Sequence, residues 1–259
     1  MRDYHPIAFS SIFSDYCTVK FQKPVLLFTT PRSGSTPMYQ ILERFLSLNN
    51  GVYGVEEPLN PFYARYTEEN ERVVWTRSAN EISRTDYERI YTERLTLIKK
   101  HYGRLFFKVF PSAFRPEAFE WLTEKHEFIT HERKNLFEQA LSNLLSDSAK
   151  HWYSENGIKP ENHSLIASRD AFVNFEKSYF HFLQLKKLLK PKAKFYYEDF
   201  LVKSPHELLK EAGFDGLFHQ ENFTLTKKQS PDDKLLVFKN GRDILSWYRD
   251  SMLQTICPH

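Results

Sequence analysis

A hydroxyl-rich turn, Arg32-Ser33-Gly34-Ser35-Thr36, carries the residue types that bind a tetrahedral anion. It follows an apolar run at Val25–Thr29 and precedes an amphipathic pattern, so the local order is strand, turn, helix. A helix N-terminus presents free N–H groups and a positive dipole end, and Arg32 adds a charge that can fork onto oxyanions. The turn is therefore predicted to hold a tetrahedral anion. An ordinary strand-to-helix connection is the alternative that composition leaves open.

The start of the following helix is also marked in the sequence. Thr36 suits the N-cap and Pro37 suits the first helical position. The loop that binds nucleoside triphosphates, GxxxxGK[ST], is the nearest rival pattern. This chain has no lysine next to Ser35-Thr36, and Thr29 or Thr30 stands where that loop has its first glycine. The turn is P-loop-like in architecture, but the residues of an ATP–magnesium site are not encoded.

A second strand-turn-helix pattern spans residues 127–146. Arg133 follows its short strand, and Ser142 lies nine residues later on its helix. Both are expected at the carboxyl edge of a parallel sheet, where doubly wound folds bind ligands. Taken singly, Arg133 also fits a surface salt bridge and Ser142 fits a helix-surface serine.

Together the two segments resemble sulfotransferases that use 3′-phosphoadenosine 5′-phosphosulfate (PAPS) as donor. PRSGST is similar to the family's phosphosulfate-binding loop, P-[KR]-[ST]-G-[ST]-[ST]. Arg133 and Ser142 match its arginine and serine that hold the 3′-phosphate. Their spacing, with a Gln-Ala-x-Ser ending, is similar to bacterial sulfotransferases that act on the disaccharide trehalose. The resemblance implies that Arg32 neutralises charge on the leaving phosphate. It also implies that the 5′ end of PAPS is cradled by Ser33, Gly34, Ser35 and Thr36.

The C-terminal part of the chain carries a weaker match to the same family. Many sulfotransferases close over the nucleotide with a loop that bears basic residues before the last helix. Lys239, Asn240 and Arg242 are the matching residues here and are expected to contact the nucleotide. A turn at Asn240 followed by a helix with solvated charges fits the same residues.

The catalytic base is expected in the loop after the first helix. Several sulfotransferase groups carry a Gly-Glu-Glu or Gly-Glu-Pro element there, whose glutamate accepts the proton of the acceptor. Glu57, directly before a proline, matches this element and is the predicted base, with Glu56 as the fallback. Other groups use a histidine after the next strand, where this chain reads Lys108-Val109-Phe110-Pro111. On composition alone, a solvated acidic pair is the alternative.

The elements that must position these residues indicate an α/β fold. Strand-like runs at Val25–Thr29, Leu105–Phe110, Phe128–Thr130 and Ala193–Tyr197 alternate with helical patterns. We expect one sulfotransferase-like domain over all 259 residues, with a central, mainly parallel sheet flanked by helices. Residues 63–103 are rich in Glu, Arg and Tyr and show little strand signal. They are predicted to be a charged helical insertion that covers one end of the sheet.

Composition limits the class of protein further. The hydrophobic fraction of 41% argues against disorder, and a net charge of +3 is too small to indicate nucleic-acid binding. Two cysteines suffice for neither a disulfide framework nor a cysteine zinc site, and no His/Asp/Glu cluster implies a metal. The first twenty residues lack the apolar core of a signal peptide, and no apolar run reaches membrane-spanning length. A cytoplasmic protein without membrane or nucleic-acid partners is therefore expected.

The resulting hypothesis is a sulfotransferase that moves a sulfuryl group from PAPS to a hydroxyl of a small molecule or glycan, by family analogy a carbohydrate. Two other classes stay open. One is a divergent P-loop kinase or NTPase, and the other is a non-catalytic module that binds a nucleotide or a sulfated ligand. The sequence does not indicate the oligomeric state.

Overall fold

The chain folds around a five-stranded sheet, as a computed structural model shows. The structure describes residues 21–60, 65–76, 87–149, 164–214, 216 and 233–256. Both cysteines, Cys17 and Cys257, lie outside these ranges. In chain order the strands are β1 (Val25–Thr29), β2 (Tyr53–Gly54), β3 (Arg65–Glu69), β4 (Arg72–Thr76), β5 (Leu105–Val109), β6 (Glu127–Glu132) and β7 (Ala193–Tyr196).

The central sheet has the strand order β2-β5-β1-β6-β7, and every pair of neighbouring strands in it is parallel. The carboxyl ends of all five strands therefore share one edge of the sheet. From β1 the chain first forms β2 and β5 on one side of this strand and later β6 and β7 on the other side. The end of β1 is thus the switch point at which doubly wound folds bind ligands. The predicted α/β class and parallel sheet are confirmed.

Helices cover both faces of this sheet. They are α1 (Ser35–Asn50), α2 (Tyr87–Lys100), α3 (Pro116–Lys125), α4 (Leu136–Ser148), α5 (Arg169–Lys186), α6 (Tyr197–Phe200), α7 (Pro205–Glu211), α8 (Gly241–Arg249) and α9 (Leu253–Ile256). One apolar cluster joins α1 and α7 to the sheet, and another joins α2, α3, α4, α5 and α8 to its opposite face. No helix in the described ranges is long and apolar enough to cross a membrane.

The two apolar faces follow from alternation along the strands. Leu27 of β1 contributes to the cluster of α1, whereas its neighbours Leu26 and Phe28 contribute to the opposite cluster. Phe28 stacks on Phe182 of α5, with ring centroids 4.8 Å apart. Strands buried on both faces read as continuous apolar runs, which is why the sequence marked β1 and β5 so clearly.

The helical insertion predicted for residues 63–103 is wrong in its first half. Strands β3 and β4 form an antiparallel hairpin joined by Asn70 and Glu71, which have φ angles of 50° and 62°. Two positive φ values are typical of the type I′ turn, whose twist suits hairpins. Charged residues surround the short β-branched run around Val73, so the sequence shows little strand signal there. Val73 itself is buried. The second half, α2, is a helix as predicted, but its buried Tyr91 packs into the core.

Helix α1 begins earlier than predicted. Its first residue is Ser35 and its N-cap is Gly34, rather than Thr36. Pro37 is therefore the third helical residue. The proline is tolerated there because the N–H groups of the first turn have no partner within the helix. The hydroxyls of Ser35 and Thr36 accordingly belong to the helix N-terminus itself.

Candidate anion-binding site

The candidate residues meet at the carboxyl edge of the parallel sheet. Arg32 follows β1, Glu57 follows β2 and Arg133 follows β6. Lys108 is the penultimate residue of β5, and Tyr197 comes directly after β7. Every strand of the sheet therefore delivers a polar or aromatic side chain to this edge.

The turn after β1 is held by hydrogen bonds within the protein. Ser33 Oγ donates to the Thr30 carbonyl at 2.8 Å and lies 2.8 Å from Thr29 Oγ1. From α4, Gln139 Nε2 donates to Thr30 Oγ1 and to the Pro31 carbonyl, both at 2.7 Å. The Ser33 hydroxyl was expected to face the anion. It is fully buried and fixes the turn instead, which leaves the main chain of the turn for a ligand.

Gly34 is required by its backbone conformation and by a close neighbour. Its φ of 80° is left-handed, and an added Cβ would lie 2.2 Å from Cδ2 of Tyr197. The guanidinium carbon of Arg133 lies over the same tyrosine ring, 4.6 Å from its centroid. Tyr197 therefore joins the turn after β1 to the strand end that carries Arg133.

The structure brings the two predicted motifs into contact. Arg32 Nε donates to Ser142 Oγ at 3.2 Å, although the two residues are 110 positions apart. Arg32 itself has a left-handed backbone, with φ at 59°. A non-glycine residue is uncommon in that region, and it persists there only when the surrounding structure holds it in place.

Arg133, which follows β6, has part of its donor capacity unused within the described part of the chain. Its Nη2 is 3.6 Å from Glu138 Oε2, and its buried Nε has no hydrogen-bond partner among the described residues. Buried polar groups in proteins are nearly always hydrogen-bonded, so an unpaired guanidinium N–H here indicates room for an acceptor from a ligand.

The strand end that carries Arg133 is fixed from β7 and α6. The Glu198 carboxylate accepts the backbone N–H groups of Lys134 at 2.9 Å and Asn135 at 3.0 Å. Asp199 forms an ion pair with the Lys134 side chain at 3.0 Å. Glu198 and Asp199 therefore hold the segment that follows β6 in place.

Glu57 is buried, not solvated. Its Oε1 is 2.8 Å from Lys108 Nζ, and its Oε2 accepts a hydrogen bond from Asn60 at 2.6 Å. Lys108 Nζ also donates to Thr36 Oγ1 at 3.0 Å and lies 3.4 Å from Glu56 Oε1. Lys108 thus connects the predicted base with the predicted anion turn. The sequence analysis did not identify Lys108 because it looked for a histidine after this strand. A lysine within the apolar run of β5 was the signal that could have identified it.

His131, on β6, adds no charge at neutral pH. Its ring Nδ1 lies 3.4 Å from Ser33 Oγ. Burial, and secondarily the charge of Lys108, lowers its pKa to about 3. Arg32, Arg133 and Lys108 therefore carry positive charge at this edge, whereas His131 does not.

The three C-terminal residues predicted to contact the nucleotide have different surroundings. Asn240 exchanges two hydrogen bonds with the main chain of Ala167, at 2.9 and 3.0 Å, which is a structural role. Lys239 and Arg242 are exposed, and within the described part of the chain neither side chain forms a hydrogen bond or ion pair. Lys234 is buried instead and forms an ion pair with Glu138, the carboxylate next to Arg133.

Comparison with known proteins found no family model, no curated protein and no solved structure that matches this chain. The case for a function therefore rests on the geometry of the site and on the residues that form it.

Proposed function

We propose that the protein is a sulfotransferase that transfers a sulfuryl group from PAPS to an acceptor hydroxyl. The hydrogen bond between Arg32 Nε and Ser142 Oγ carries this proposal, because it unites two separately predicted motifs. Both lie at the switch point of a parallel sheet, the usual ligand crevice of such folds.

PAPS fits the residues at this edge as a two-ended anion. Its 3′-phosphate would bind Arg133 and Ser142, and the unpaired buried Nε of Arg133 supports an acceptor oxygen there. Its 5′ end would bind the main chain from Ser33 to Thr36 at the N-terminus of α1.

In the proposed reaction, the acceptor oxygen attacks sulfur in line with the bond to the 5′-phosphate. The new O–S bond forms as the bond between sulfur and the phosphate oxygen breaks. The acceptor proton passes to the Glu57 carboxylate, and a sulfate ester and 3′-phosphoadenosine 5′-phosphate (PAP) are released. Arg32 and Lys108 oppose the negative charge that grows on the leaving oxygen.

Two measurements test this function directly. PAP is expected to raise the melting temperature, because a ligand that binds only the folded state stabilises it. Labelled PAPS is then incubated with a panel of sugars, peptides, phenols and lipids, with and without a magnesium chelator. Binding of PAP without transfer to any acceptor would favour a non-catalytic module, and hydrolysis of ATP that requires magnesium would favour an NTPase.

Arg133→Ala is expected to weaken PAP and PAPS alike, because the 3′-phosphate is common to both. Loss of charge-assisted hydrogen bonds worth about 1.5–3 kcal/mol corresponds to roughly 10- to 100-fold in affinity. Titration calorimetry provides the measurement, and Lys134→Ala is the matched control because it removes the neighbouring, more exposed charge. Unchanged affinity in Arg133→Ala would remove this residue from the site.

Arg32→Ala is expected to lower turnover more than affinity for PAPS, since charge on the leaving oxygen grows toward the transition state. We expect a loss of at least roughly tenfold in kcat with a smaller change in affinity. Steady-state kinetics combined with calorimetry separate the two effects. Weaker binding with intact kcat would mean that Arg32 only holds the ground state.

A further inference from the structure

A buried lysine from the C-terminal part of the chain reaches the neighbourhood of Arg133. Lys234 is buried and forms an ion pair with Glu138 of α4, although the two residues are 96 positions apart. Its backbone begins a short helical turn, Leu235–Val237, in which the Val237 N–H donates to the Lys234 carbonyl at 3.3 Å. The proposed contacts to PAPS do not use the charge of this lysine.

The Glu138 carboxylate lies between two cations. Its Oε2 is 3.6 Å from Arg133 Nη2 and is closer to Lys234 Nζ. Charge-assisted hydrogen bonds between a cationic N–H and a carboxylate oxygen measure about 2.7–2.9 Å. The contact with Arg133 is longer than that and is an ion pair without a hydrogen bond. Glu138 is therefore held by Lys234 more than by Arg133.

This arrangement leaves donors of Arg133 available to a ligand. Its buried Nε has no hydrogen-bond partner among the described residues. Its guanidinium carbon lies 4.6 Å from the centroid of the Tyr197 ring. A guanidinium that packs over an aromatic ring keeps its in-plane N–H groups free to form hydrogen bonds. Tyr197 thus orients Arg133, while Lys234 holds the carboxylate that would otherwise occupy it.

The charge balance of this trio depends on Lys234. Two cations, Arg133 and Lys234, and one carboxylate, Glu138, leave one net positive charge. Without Lys234, Arg133 and Glu138 would form a neutral pair. The carboxylate would then compete with a phosphate for the same guanidinium and would also repel the phosphate.

We propose that Lys234 is a positioning residue for the 3′-phosphate of the nucleotide. It holds Glu138 too far from Arg133 for a hydrogen bond and offsets the charge of the carboxylate, without contacting the ligand itself. The inference rests on the proposed function, in which Arg133 binds the 3′-phosphate. A direct contact between Lys234 and the phosphate is the competing role, and it would not depend on Glu138.

Titration calorimetry with PAP and adenosine 5′-monophosphate (AMP) tests this role, because the two ligands differ only in the 3′-phosphate. The wild-type protein is expected to prefer PAP. Lys234→Met is expected to lower affinity for PAP by about tenfold, the scale of losing a hydrogen bond to a charged group, and to leave affinity for AMP unchanged. A general loss of structure would lower affinity for both ligands.

The substitution Glu138→Gln completes a double-mutant cycle. Alone, it should bind PAP at least as tightly as the wild type, because it removes the competing carboxylate. In the double variant Lys234→Met/Glu138→Gln, affinity for PAP should equal that of Glu138→Gln, since Lys234 acts through Glu138. This comparison holds even if Lys234→Met alone does not fold. Circular dichroism shows which variants fold, and Lys239→Met, an exposed lysine of the same segment, is the matched control.

The proposal is overturned if folded Lys234→Met keeps the wild-type preference for PAP over AMP. It is also overturned if the double variant binds PAP more weakly than Glu138→Gln, because Lys234 would then contact the phosphate directly. A wild-type protein that binds PAP no better than AMP would instead overturn the 3′-phosphate site of the proposed function, and the role of Lys234 with it.

Discussion

Glu57→Gln is expected to cut turnover by roughly two or more orders of magnitude, the usual scale for losing a general base. Glutamine keeps the shape of the side chain and can still accept the hydrogen bond from Asn60. It cannot accept the proton of the acceptor hydroxyl. Affinity for PAPS and the PAP-induced rise in melting temperature should match those of the wild type, because the predicted contacts to the nucleotide lie elsewhere.

Glu56→Gln is the matched control for this substitution. Glu56 also approaches Lys108, at 3.4 Å, but its side chain is 25% exposed, compared with 3% for Glu57. Normal turnover in Glu56→Gln with loss in Glu57→Gln supports the assignment. The reverse result would move the base by one residue, and normal turnover in both would place it outside this loop.

Lys108→Met is expected to lower the free energy of unfolding by about 3–5 kcal/mol, because it leaves a buried carboxylate without its ammonium partner. Both members of the pair are nearly inaccessible, with side chains 1% and 3% exposed. For a chain of this length the loss corresponds to a fall of roughly 10 °C in melting temperature. Methionine retains much of the aliphatic volume, so the loss reports charge more than packing. Thermal and denaturant unfolding measure it.

The double variant Lys108→Met/Glu57→Gln shows whether the unpaired charge causes the loss. Removing both charges is expected to restore a large part of the stability, since neutral groups are less costly to bury. Lys134→Met, which changes a half-exposed lysine at the same edge, should change stability little. A double variant no more stable than Lys108→Met alone would assign the loss to packing.

The sequence predicts the strands better than it predicts which distant residues the strands bring into contact. Continuous apolar runs predicted β1 and β5. The hairpin formed by β3 and β4 was not predicted, because its segment is rich in charged residues. Arg32, Arg133 and Ser142 could be predicted because they occupy motifs of fixed spacing. The contact between Arg32 and Ser142 also needed only the rule that carboxyl ends of parallel strands share an edge.

Lys108, Lys234 and Tyr197 could not be assigned in this way. Each acts through a partner distant in sequence: Lys108 through Glu57 and Thr36, Lys234 through Glu138, and Tyr197 through Gly34. No local pattern encodes such a pairing. The hydrogen bonds of Asn240 were not predictable for the same reason, because its partner, Ala167, lies 73 positions away.

The separation of 110 positions between Arg32 and Ser142 has a consequence for how the site arises during synthesis. Chains emerge from the ribosome N-terminal end first, and contacts between distant residues form only after the intervening loop has closed. The turn after β1 can form early, but the arginine–serine contact requires β6 and α4 to have emerged and joined the sheet. A nascent chain therefore cannot bind a ligand that needs both motifs. It can do so only after the centre of the sheet has formed.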